Sequence, residues 1–288
     1  MSRIPTSQRA AQSFVAEPLS LRPPIVLPDA MLPRPLPAAP LSDWTATSAR
    51  ATISHAVPDD ANPEAILRGW VYPAPQSDDP ALLFFNGNAM GIDEYDSFYA
   101  GLAALGAEVN VFDYRGFGFS TGEPDVMAFR QDALQLYQAV LNVNPNRKLA
   151  VFGYSLGTAM ATFVAARYAV SALILAGTIA SAEEEVPVYA HDLGLSDRVA
   201  AFLVPSAEVV ETLDEVHYTA RSAAPLLMLH GEADTVVPIA QGREVFAASP
   251  ATQKQFVSLP ATGHSDTLTH PLALQAIAAF LLSLKRNT

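Results

Sequence analysis

Cysteine is absent from the 288 residues, which excludes disulfides, thiolate metal sites and a cysteine nucleophile together. Cationic residues are scarce. Lys and Arg number 17 against 29 Asp and Glu, and the resulting formal charge of −12 has the wrong sign for a nucleic-acid or anionic-membrane surface. No apolar run approaches the roughly 20 residues of a membrane-spanning helix. The N-terminus lacks the charged region and continuous apolar core of a secretory signal. The expectation is a soluble, cytoplasmic protein, or one from which an export signal was removed, with no nucleic-acid partner and no stable membrane insertion. What the chain has in quantity is apolar side chain. Hydrophobic residues make up 50% of it, enough for one large α/β domain or two small ones.

Residues 1–43 are proline-rich and show neither helical nor strand period, so they read as an extended arm that docks in part on a domain spanning 44–288. Two strand-like stretches, 48–57 and 64–72, flank the turn signal PDDANP and predict an antiparallel pair. Beyond Pro80, short apolar runs alternate with helical segments: ALLFFNG, EVNVFDY, KLAVFGYS, SALILAGT, PLLMLHG and QFVSLPA, with helices near 94–105, 126–141, 240–248 and 271–284. That alternation predicts a mostly parallel sheet flanked by helices on both faces. Residues 179–224 interrupt it after a strand's carboxyl end, where an insert overlies the site side of such a sheet. They read as a lid of one or two short helices broken at Pro187 and Pro205.

Within this pattern Gly153-Tyr154-Ser155-Leu156-Gly157 falls where the run 149–152 gives way to a helix-forming stretch. Ser155 would sit on a tight strand-to-helix turn whose neighbours must lack a Cβ, a geometry that exposes one hydroxyl as a nucleophile. Such a hydroxyl needs a base and an acid to orient the base. His264 follows the last predicted strand in LPATGHSD and is the expected base, whereas His230, inside LLMLHG, reads as a packed residue. GEADTVVP offers Glu232 and Asp234 after the preceding strand, and Asp234 is the better placed. The order Ser, Asp, His, each after a different strand, is the order expected for this architecture. An acyl-transfer transition state also needs backbone N–H donors for its oxyanion, each lowering the barrier by roughly 3 to 4 kcal/mol. Leu156, at the start of the following helix, is one expected donor. Asn88 in the loop after ALLFF is the second, with Ala89 as the alternative.

These residues carry a resemblance to the α/β-hydrolase superfamily, and within it to small serine hydrolases whose oxyanion loop reads His-Gly-Asn. The matching elements are Asn86-Gly87-Asn88, Asp113-Tyr114-Arg115-Gly116-Phe117-Gly118, Gly153 to Gly157, Asp234 with Val237-Pro238, and Gly263-His264. The resemblance covers about residues 81–284, with Asn86 standing where the family has histidine, a position that shapes the loop and bears on substrate choice. Asp113 and Arg115 read as structural residues of their turn. The resemblance implies a serine hydrolase that cleaves a small-molecule carboxylic ester of short to medium acyl length through an acyl-enzyme. No metal or organic cofactor is expected, since the side chains and dipoles supply the chemistry. The same machinery also serves peptidases and thioesterases, and the acidic run 183–185 would then hold a substrate amine. A catalytically silent binding module is the reading from a different class.

Overall fold

The computed structural model describes residues 25–26, 43–60, 63–88, 90–143, 145–192 and 203–286. In chain order its elements are β1 (Ile25–Val26), β2 (Ala51–Ala56), β3 (Ile66–Tyr72), β4 (Ala81–Phe85), α1 (Asp96–Ala104), β5 (Glu108–Phe112), α2 (Val126–Val143), β6 (Leu149–Tyr154), α3 (Leu156–Ala165) and β7 (Leu173–Ala176). After them come α4 (Ala182–Asp192), β8 (Leu203–Val204), α5 (Ala207–Thr212), α6 (Glu215–Thr219), β9 (Leu226–Gly231), α7 (Ile239–Ala248), β10 (Lys254–Leu259) and α8 (Pro271–Arg286). Eight strands form one sheet in the order β10-β9-β7-β6-β4-β5-β3-β2. The six from β10 to β5 run parallel, and β3 and β2 add an antiparallel edge.

The central strands bury both faces, and their period of two distributes each strand between two cores. Leu83, Val151 and Leu175 enter a core closed by α2, α3 and α7, while Leu82, Phe84, Phe152 and Ile174 enter the one closed by α1 and α8. Because these strands have no polar face, both sides of the sheet must be covered by helices. Their common direction then brings the carboxyl ends of β4, β6, β9 and β10 to one edge of the molecule, where residues 86–88, 155, 234 and 264 lie.

The segment between β7 and β9 departs from expectation at Pro187. The helix α4 runs through that position instead of breaking there. A proline removes one N–H and crowds one carbonyl, and α4 persists because its first turn is anchored. Ser181 Oγ accepts from the Glu184 N–H at 3.3 Å, and Ala182 and Val186 are buried. Pro205 does lie outside a helix, between β8 and α5. From the proline-rich arm, β1 pairs in parallel with β8, joining the two segments through backbone hydrogen bonds. The rest of residues 1–42, and residues 193–202 of the insert, lie outside the described residues. Among the described residues no helix is long and apolar enough to cross a membrane.

Candidate active site

Ser155 follows β6 directly and has φ 52° and ψ −125°, a left-handed φ that a residue with a side chain rarely adopts. The two flanking glycines are what make it possible. A Cβ on Gly153 would lie 2.4 Å from the Gly157 carbonyl oxygen, and one on Gly157 would lie 2.0 Å from the Phe85 carbonyl oxygen. The turn is therefore packed backbone against backbone, with the Ser155 N–H donating to the Ala176 carbonyl at 2.9 Å.

The loop after β10 brings His264 over this turn, with Nε2 2.9 Å from Ser155 Oγ and Nδ1 2.7 Å from Asp234 Oδ2. The ring is held from several sides. Tyr154 stacks on it at 5.2 Å between centroids and donates its hydroxyl to the His264 carbonyl at 3.1 Å. Gly177, at φ +60°, lets the chain after β7 pass beneath, since a Cβ there would lie 2.9 Å from His264 Cε1. Asp234 is buried, and its Oδ1 accepts from the Val236 and Val237 N–H groups at 3.0 and 2.8 Å, which leaves Oδ2 to the imidazole. Since a carboxylate only accepts, Nδ1 carries the proton and Nε2 is free to accept from the serine. Glu232 points to solvent.

His230 is fully buried, as a packed residue should be. It also has a task that its position in a strand did not reveal. Its Nε2 donates to the Val237 carbonyl at 2.8 Å and lies 3.6 Å from Asp234 Oδ2, so it braces the loop that carries Asp234. Burial lowers its pKa and keeps it neutral there.

The loop after β4 approaches Ser155 closely, and a Cβ on Gly87 would meet Tyr154 Cδ1 at 3.0 Å and Ser155 Cβ at 3.2 Å. Asn86 shapes it. Its side-chain Oδ1 accepts from the Tyr99 hydroxyl at 2.6 Å and its carbonyl from the Tyr114 hydroxyl at 2.7 Å. The Gly87 N–H points at Met90 Sδ, 3.3 Å away. Asn88 follows in the same loop with its side chain exposed, and Ala89 lies outside the described residues. Leu156 is the first residue of α3, where a helix N–H has no intrahelical acceptor. Asp113 accepts from the Ile92 and Phe119 N–H groups at 3.0 and 2.9 Å, tying this loop to the turn after β5, and burial pushes its carboxyl up to about 7. Arg115 forms a bidentate pair with Asp132 at 2.8 and 2.6 Å and also reaches Asp59. Both residues serve the turn.

Tyr99, Tyr154 and Gly177 are therefore neighbours of the site that sequence reasoning missed, although Tyr154 lay inside the motif. Among the described residues no three His, Asp or Glu side chains gather as a metal ion would require.

The chain is similar to known proteins in sequence and in fold. Residues 76–222 match the family described as serine aminopeptidase, S33. An uncharacterized protein of Mycobacterium tuberculosis is 33% identical over 221 residues, 75% of this chain and 74% of its own. The chain belongs to this S33 family of α/β-hydrolases. The lysophosphatidylserine lipase ABHD12 of Danio rerio is 33% identical over 191 residues, covering 62% of this chain and 49% of the fish protein. Among solved structures, a soluble variant of the Saccharomyces cerevisiae monoglyceride lipase shares the S33 hydrolase's fold with a TM-score of 0.64 at 16% identity, covering 87% of this chain and 99% of the yeast one.

Proposed function

We propose that this α/β-hydrolase is a serine esterase that cleaves carboxylic esters of short to medium acyl length through an acyl-enzyme. The observation that carries the reading is the unbroken relay from buried Asp234 through His264 to Ser155 Oγ, with both hydrogen bonds under 3 Å. Ser155 attacks the ester carbonyl while His264 takes its proton at Nε2, and Asp234 stabilises the imidazolium. Negative charge on the carbonyl oxygen is met by the Leu156 and Asn88 N–H groups, the first aided by the α3 dipole. The leaving alcohol takes its proton from His264. A water then attacks the acyl-enzyme with His264 again as base, and Ser155 is restored. No step calls for a metal or organic cofactor. The insert 179–224 acts as a lid over a hydrolase domain of 44–288, with 1–43 as its arm. Relatives named as lipases agree with the ester class.

The peptidase alternative assigns a substrate amine to residues 183–185, but Glu185 Oε2 already accepts from Gln241 Nε2 at 3.0 Å. The test is hydrolysis of p-nitrophenyl esters of increasing acyl length by the wild type and Ser155→Ala. Turnover that peaks at short or medium chains and vanishes in the variant is expected. Turnover of amide substrates alone would overturn the ester reading.

A further inference from the structure

Glu215, the first residue of α6, has no solvent exposure at all. Its Oε1 lies 2.8 Å from Thr158 Oγ1, and Oε2 has no hydrogen-bond partner among the described residues. Thr158 Oγ1 in turn lies 2.5 Å from the carbonyl oxygen of Ser155. Counting protons along this line fixes their positions. A threonine hydroxyl has one hydrogen, and a carbonyl oxygen can only accept. Donation from Thr158 to Glu215 would leave two bare oxygens 2.5 Å apart at the Ser155 carbonyl, a separation found only where a proton lies between them. The threonine proton therefore belongs to the Ser155 carbonyl, and the 2.8 Å contact then needs a proton from the carboxyl side.

We propose that Glu215 is held as the neutral carboxylic acid, donates to Thr158 Oγ1, and through it is a positioning residue for the strained turn at Ser155. The inference rests on the reading of Ser155 as nucleophile. The surroundings agree with it. Helix α3 carries no charged side chain from Leu156 to Ala165. From α4 the group facing Glu215 is Glu185, bound to neutral Gln241 of α7, and beyond it lie Glu184 and Glu244. On its own segment Asp214 Oδ1 accepts from the His217 backbone N–H at 3.2 Å, and the exposed His217 ring lies edge-on against Tyr218. Burial, reinforced by Glu185, holds the Glu215 carboxyl well above its ordinary range. The neutral state also matters to the chemistry. An ionised carboxylate beside the first turn of α3 would compete with the oxyanion for the positive end of the same helix.

The protonation state is read by infrared difference spectroscopy of full-length wild type against Glu215→Gln at neutral pH. A carboxylic-acid C=O band present only in the wild type is expected, and Thr158→Val should shift it by removing the acceptor. Absence of the band, or in a poorly folding Glu215→Gln background its failure to move in Thr158→Val, overturns the proposal. That spectrum needs no substrate, so it stands apart from the fate of the esterase reading. The positioning role is read from the pH dependence of Ser155 labelling by a fluorophosphonate. Glu215→Gln, whose amide can donate to Thr158 as the acid does, should label within about threefold of the wild type at neutral pH. It should also lack the decline that the wild type shows as pH rises and Glu215 ionises. Identical pH profiles would overturn the role while leaving the protonation state intact. Absence of labelling in both proteins would instead refute the nucleophile reading.

Discussion

Replacing Asp234 by Asn tests the relay through an atom-by-atom constraint. Oδ1 accepts two backbone N–H groups, from Val236 at 3.0 Å and Val237 at 2.8 Å, and Oδ2 accepts from His264 Nδ1 at 2.7 Å. An asparagine must turn its NH₂ toward one side. Facing the loop, it would set donor against two donors and lose both bonds, so the oxygen stays there and the NH₂ faces the imidazole. His264 must then accept at Nδ1 and carry its proton on Nε2, aimed at Ser155 Oγ, where it can no longer serve as a base. The loop keeps its bonds, so the fold survives. The expected outcome is a kcat lower by about 10⁴-fold, equivalent to about 5 kcal/mol of transition-state stabilisation, with a Tm close to that of the wild type. Steady-state ester hydrolysis and thermal unfolding measured on the same preparation decide it. A variant that retained a tenth of the wild-type kcat would show that Asp234 does not fix the tautomer of His264.

Gly157→Ala should destabilise by about 3 kcal/mol in urea unfolding, because its Cβ would sit 2.0 Å from the Phe85 carbonyl oxygen, which belongs to a central strand and cannot yield. A midpoint equal to the wild type's would contradict the packing described for the turn. Arg115→Met strands Asp132, a buried carboxylate that has lost its bidentate partner, and should cost roughly 3 to 5 kcal/mol. A loss under 1 kcal/mol would show the pair to be dispensable. Stability should also fall as pH rises from about 4 to about 7. Burial holds the Asp113 carboxyl up at about 7, against about 3.9 for an unfolded aspartate. The folded chain thus binds the proton more tightly, and this contribution is complete below the unfolded value and lost as pH passes the folded one, about 4 kcal/mol over the window. Unfolding free energies at pH 5 and pH 8, at fixed ionic strength, check the sign, and a rise across that window would contradict it.

The parallel sheet was legible because apolar runs such as ALLFF and the run at 149–152 are too short for helices and are bounded by turn residues. Ser155, Asp234 and His264, which the structure brings within hydrogen-bond reach, each lie within five residues of a strand's carboxyl end, although Glu232 precedes Asp234 in its loop and only the fold separates the two. Less could be read from contacts made across the fold. Nothing local marks Glu215 as buried, since a glutamate at the start of a five-residue helix looks like an ordinary first-turn acid until α3 packs over it. The brace from His230 to Val237 depends likewise on a loop folding back on its own strand. The helix α4 runs through Pro187 because burial of Ala182 and Val186 outweighs one lost hydrogen bond, a balance that propensity does not contain.

Covalent labelling tests, without any choice of substrate, whether Ser155 is a nucleophile activated by His264. Purified protein treated with a fluorophosphonate should gain one adduct by intact mass, mapped to the peptide containing Ser155, with Ser155→Ala unlabelled and His264→Ala labelled far more slowly. An unmodified wild type, or an adduct on a different residue, would rule out Ser155 as the nucleophile.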